Sequence, residues 1–233
     1  MKDIGNGFPM DNADLPTRVM SLEALLHQLS SERDILAVIY RYARAADRCD
    51  IDLMKSCYHS DATDDHGFYS GNAWEFCDFV IPQLRALELS VHSMSNTIIE
   101  LKGDRAFAET HYAVIHRLKQ FLGFTDFYHH GRYLDVFECR SGKWKIACRV
   151  ICQDGERWLQ TANLYSIISR SPNFPIQGSQ GKGDPVYVAF DLPSLIRMRP
   201  RMQDLWIGFV RIALTPLFLV RLVALTWSAF RPK

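Results

Sequence analysis

The 233-residue chain is short of the signatures that mark several large protein classes. Its six cysteines (Cys49, Cys57, Cys77, Cys139, Cys148, Cys152) form no CxxC pair and lie scattered through apolar segments. That usage reads as reduced thiols rather than a disulfide frame or a zinc site. The eight histidines include no HExxH, and the adjacent His129 and His130 would point to opposite faces of a strand, so no metal is expected. No GxSxG elbow occurs, and no cysteine sits in a nucleophile's local sequence. The stretch GSQGKG matches neither GxGxxG nor GxxxxGK(S/T) and follows no strand, which argues against phosphate binding. The opening MKDIGNGFPMDNADLPTR has no apolar h-region, so no secretory signal or N-terminal anchor is expected and a cytoplasmic location is. A formal net charge of +1 gives no reason to expect a nucleic-acid partner.

What is present is the material of a globular fold: 48% apolar residues and 12% aromatic, enough for one large domain or a medium domain with an extension. The charge balance hides an asymmetry. From Arg197 onward there are seven basic residues against the single acid Asp204, so the head is mildly acidic and the tail basic.

Residues around 21 to 47 read as a helix, because Ile35, Ile39, Tyr42 and Ala46 recur at helical spacing, with Ser30 or Ser31 as N-cap. DIDLMKSCYHSDA reads as a shorter helix capped by Asp50 or Asp52, and GNAWEFCDFVIPQLRALE as a third that Pro82 starts or interrupts. From Ser90 the pattern becomes four strands: VHSMSNTIIEL, AFAETHYAVIHRL, YHHGRYLDVFEC and WKIACRVICQ, with turns at KGDR and RSGK. Helices first and a meandering antiparallel sheet afterwards define an α+β fold. In it the N-terminal helices close one face of a curved sheet to form a cone with an internal pocket. The expected divisions are an arm (1–20), this cone domain (21–168), a Gly/Pro/Ser-rich linker (169–196) and a basic, apolar helical tail (197–233).

The tail carries LWIGFVRIALTPLFLVRLVALTW, residues 205 to 227. On a helix Trp206 and Trp227 would stand roughly 32 Å apart, close to a bilayer's hydrocarbon thickness. Arg211 and Arg221 inside the segment oppose a simple span, and Thr215-Pro216 reads as an N-cap and first helical residue that splits it. Peripheral membrane contact, packing on protein and a partner-binding helix all remain open readings.

Two pairings follow from strand geometry. Alternation places Thr110, Tyr112, Val114 and His116 on one face. If Ser141, Gly142 and Lys143 form a three-residue loop with glycine left-handed, Asp135 lies opposite Arg149, and the two charges pair.

Six strings, in order, resemble a known family. They are RYARAADRCD with Tyr42 and Asp47, DATDDHG with Asp61 and His66, VHSMSN with His92 and Asn96, GDRAFAET, GRYLDVFE with Tyr133 and Asp135, and SGKWKIACRVI with Arg149. The chain over about residues 20 to 165 is similar to the SnoaL-like branch of the nuclear-transport-factor fold, which includes scytalone dehydratase, bile-acid dehydratase and hexachlorocyclohexane dehydrochlorinase. The resemblance implies a cofactor-independent lyase of dehydratase type acting on a hydrophobic polycyclic or aromatic small molecule. In that reading His92 is the base, Asp47 orients and charges it, and Tyr42 assists the departing oxygen. It also implies a substrate-binding set of Arg149, His116, Tyr112, Tyr133, Asp135 and Asn96, with Arg149 either binding a leaving group or carbonyl or forming a structural bridge. An isomerase, a polyketide cyclase and a non-catalytic binding or subunit module are the alternatives on the same fold. Relatives of this kind imply a homodimer or homotrimer.

Overall fold

A computed structural model describes residues 15–120, 123–161 and 178–187. The described residues up to Thr161, together with Gly178–Asp184, make one compact unit. The expected tail and most of the expected linker lie outside the described residues. Among those that are described, no helix is long and apolar enough to cross a membrane.

Helix α1 spans Leu15–Arg48. It starts before the expected boundary, so Ser30 and Ser31 lie inside it rather than capping it. Its second half is amphipathic: Ile35, Ile39, Tyr42 and Ala46 are all buried, as are Val38, Ala43 and Ala45 between them. Each large apolar side chain so buried contributes about 1.5–3 kcal/mol. Helix α2 (Ile51–Ser56) is capped by Asp50, whose carboxylate accepts from the Leu53 N–H at 3.2 Å. It is shorter than expected, because the chain turns into strand β1 (Tyr58–Asp65) and then β2 (Ser70–Asn72) before helix α3 (Ala73–Arg85). Two strands therefore precede the third helix, contrary to the sequence reading. Asn72 caps α3 through its side-chain oxygen, and Pro82 lies within the helix without ending it.

Strands β3 (Leu89–Lys102), β4 (Arg105–Gln120), β5 (Gly123–Arg140) and β6 (Lys143–Thr161) form the antiparallel meander. The six-stranded sheet runs β2-β1-β6-β5-β4-β3, with β1 parallel to β6. The helices pack on one face, and the core lies between.

The β5–β6 hairpin yields the expected partners by a different route. Its loop has two residues, Ser141 (φ 53°) and Gly142 (φ 71°), the signature of a type I′ turn. Arg140 therefore pairs with Lys143, a register that would put Asp135 opposite Cys148. A bulge between Val136 and Phe137 inserts one residue on β6 and brings Asp135 opposite Arg149. Part of the Gly-rich stretch folds back on the helix ends: Gln180 Nε2 donates to the carbonyls of Leu84 and Leu87 at 3.1 and 3.2 Å.

Candidate functional site

Strand β3 is an edge strand, and its outward backbone groups need partners. Helix α1 crosses beside it and supplies one. The Asp47 carboxylate accepts from the backbone N–H of His92 at 2.9 and 3.1 Å, and its Oδ1 lies 2.7 Å from His92 Nδ1. Ser90 Oγ donates to the same oxygen at 3.4 Å. Both side chains are largely enclosed, 13% exposed for Asp47 and 8% for His92. A carboxylate can only accept, so in the neutral ring Nδ1 carries the proton and Nε2 keeps a lone pair.

His92 lines a cavity of about 390 Å³, within the range of small-molecule sites. Tyr42 and Ala46 of α1, Phe76 and Val80 of α3, and Tyr112 and His116 of β4 contribute to its wall. Phe127, His129 and Tyr133 come from β5, while His66 and Phe68 come from the turn after β1. The wall is largely aromatic: Tyr112 stacks on Tyr133 at 4.6 Å, and Tyr133 meets Tyr42 edge-on at 5.9 Å. Burial pushes the Tyr42 phenol above its ordinary pKa, opposed by the nearby Arg149 guanidinium, so it stays protonated and able to donate.

Three imidazoles run along one wall, with ring centres 5.7 Å apart for His92 and His116 and 5.2 Å for His116 and His129. Burial, aided by His92, pushes His116 down to about 3 and His129 down to about 4. Both rings are therefore neutral at ordinary pH, and their Nε2 atoms are buried without a partner among the described residues. Those residues contain no group of three or more side chains arranged to hold a metal ion.

Of the expected substrate-binding residues, Tyr112, Tyr133 and His116 reach the cavity. Three do not. Arg149 and Asp135 have completely buried side chains, joined by two 2.7 Å hydrogen bonds. Tyr42 and Tyr133 each have the guanidinium 4.1 Å from the ring centre, and these rings stand between the charge and the cavity. The pair is a structural bridge behind the wall, because the apolar faces of two tyrosines leave it no opening. Asn96 is exposed at a bulge in β3, where its φ of 47° serves the kink rather than the pocket.

His129 and His66 were missed as site residues. Alternation along β5 with Phe127 and Tyr133 was the available signal for His129. For His66, which follows the end of β1, there was none beyond its place in DATDDHG.

A helix-backed cone of antiparallel sheet around an aromatic cavity defines the class of protein. Residues 27–150, just over half of the chain, match the family model of the SnoaL-like domain, and the chain belongs to the SnoaL-like family. No curated protein matches the sequence. Similar solved structures include a type 3 LinA hexachlorocyclohexane dehydrochlorinase from Novosphingobium barchaimii, with 17% identity and TM-score 0.52 over 57% of this chain and 93% of that one. A candidate scytalone dehydratase from Novosphingobium aromaticivorans has 15% identity and TM-score 0.51 over 67% and 95%. An NTF2-like protein with a cystatin-like fold, also from Novosphingobium aromaticivorans, has 22% identity and TM-score 0.50 over 58% and 90%. At such identities the likeness establishes the fold.

Proposed function

We propose that the protein is a cofactor-independent lyase of dehydratase type, acting on a hydrophobic polycyclic or aromatic small molecule. The observation that carries this reading is the 2.7 Å contact between Asp47 and the Nδ1 of an imidazole that lines the cavity. With Nδ1–H held by the carboxylate, Nε2 of His92 takes a proton from a carbon next to a carbonyl, and Asp47 stabilises the imidazolium that forms. The electron pair left on carbon is delocalised as an enolate, and its collapse expels hydroxide from the adjacent carbon. Tyr42 lies one helical turn and a half before Asp47 on α1, lines the same cavity and remains a phenol, so it can hydrogen-bond the departing oxygen. The aromatic wall favours flat, apolar substrates.

An isomerase would use the same base and enolate and return the proton elsewhere. The test is incubation of the full-length protein with bicyclic and tricyclic β-hydroxy ketones in deuterated water, followed by mass spectrometry. Water loss that disappears in His92→Ala supports the lyase; deuterium uptake without water loss redirects the reading to an isomerase. Uptake that persists in His92→Ala removes His92 as the base.

A further inference from the structure

The cavity contains a second carboxylate-oriented imidazole. Nδ1 of His66 is hydrogen-bonded to Oδ1 of Asp64, whose other oxygen accepts from the Tyr58 hydroxyl at 2.6 Å. Asp64 is completely buried, and the His66 side chain is 8% exposed. The ring stacks on Phe76 with centres 4.1 Å apart and planes 23° from parallel, which fixes its tilt. Its backbone is equally held: the chain reverses through Gly67 (φ 75°), and the His66 N–H donates to the Tyr69 carbonyl at 2.8 Å.

Buried polar atoms usually find a hydrogen-bond partner, in the protein or in what fills the adjoining space. Here Nδ1 is committed to Asp64, and among the described residues no protein group hydrogen-bonds Nε2. What the ring has left for the cavity it lines is this Nε2 edge. Burial lowers the ring's pKa, opposed by Asp64, so the imidazole is neutral and Nε2 carries a lone pair. It is a fixed acceptor beside the rings of Phe68 and Phe76, on elements other than those that carry His92, His116 and His129, and it matches a donor on the ligand rather than a bare carbonyl or ether.

We infer that Asp64 and His66 form a second polar subsite of the cavity, which binds a hydroxyl group of the substrate by accepting its hydrogen bond at His66 Nε2. The inference rests on the proposed use of this cavity as the substrate site, and it narrows the substrate class to ring systems bearing a second hydroxyl or a phenol besides the hydroxyl that departs. His66 is here a binding and specificity residue, distinct from the base.

The test is calorimetric titration of the full-length protein with 2-naphthol and 2-methoxynaphthalene, which share shape and apolar area but differ in the donor. Wild type should prefer 2-naphthol by about 5- to 10-fold, the worth of one well-placed hydrogen bond. His66→Phe should abolish that preference while keeping the affinity for 2-methoxynaphthalene, and His92→Phe should preserve it. His66→Gln, which retains an amide oxygen, should keep an intermediate preference, and it covers the case in which His66→Phe does not fold. Equal binding of the two ligands by wild type, no binding of either, or a preference that follows His92 instead of His66 would overturn the inference. Because binding needs no turnover, these outcomes are separable from a failure of the proposed elimination.

Discussion

Asp47 Oδ1 lies 2.9 Å from the backbone nitrogen of His92 and 2.7 Å from its Nδ1, so one carboxylate fixes both the main chain and the ring of a residue 45 positions away. The edge-strand N–H and the imidazole are tied by the same group, which leaves the ring little freedom to rotate.

Replacing Asp47 with Asn keeps the size but removes the charge that stabilises an imidazolium. Asp47→Asn is expected to lower the rate of proton abstraction by about 10²–10⁴-fold, the usual worth of positioned acid–base chemistry. Solvent deuterium uptake into a ketone substrate measures this, with a thermal melt confirming that the variant remains folded.

Much of this architecture was legible in the sequence, and the reasons it was partial are physical. The 3.6-residue stripe of α1 and the period-2 face of β4 are local patterns, and both faces are buried as expected. Strand β1 is polar at Ser60, Asp61, Thr63, Asp64 and Asp65, and it pairs in parallel with the distant β6, so no local alternation announced it. The nearness of Asp47 and His92 depends on how α1 crosses the sheet, which spacing does not encode; only the family strings suggested it. The Asp135–Arg149 pair was anticipated from a three-residue loop where the chain makes a two-residue turn and a bulge, so the partners were right but the register was not, and their burial was not readable at all. Long charged side chains are ordinarily found at surfaces or in pockets, and enclosure by Tyr42 and Tyr133 is a tertiary effect.

Arg149→Met strands the Asp135 carboxylate in the core and is expected to cost about 3–5 kcal/mol, read by chemical denaturation. The double variant Arg149→Met with Asp135→Leu removes both charges and should recover most of that loss. Equal stability of the two variants would mean that the bridge is not the unit described.

The depressed histidines set an acid limit. In the unfolded chain His116 and His129 take up protons near 6.5; in the folded protein they do so only at about 3 and about 4. The unfolded state therefore binds more protons between these values. The stabilisation from keeping both rings neutral is complete above pH 6.5 and is lost as pH falls toward 4 and then 3. Melting temperature should fall through this window, and more gently in a His116→Phe, His129→Phe double variant.

Gly131 marks a close approach of β5 and β6 beside the cavity-lining Tyr112 and Gln153. A Cβ there would collide with the Cys152 carbonyl oxygen and stand 2.9 Å from Gln153 Cα, both backbone atoms that cannot swing aside. Gly131→Ala is expected to destabilise the protein by about 1–3 kcal/mol or more, because the strands must part. The Tyr112 hydroxyl, 2.8 Å from the same point, would be pushed as well, so ligand affinity should drop with stability.

The proposed chemistry requires that Asp47 hold His92 in the tautomer whose Nε2 lone pair is available to the cavity. Nitrogen-15 NMR of the histidine side chains in the full-length protein tests it directly. The expected spectrum shows a His92 ring protonated at Nδ1 in the wild type and a shifted or mixed tautomer in Asp47→Asn. A His92 protonated at Nε2, or a tautomer indifferent to the loss of the Asp47 charge, would contradict it.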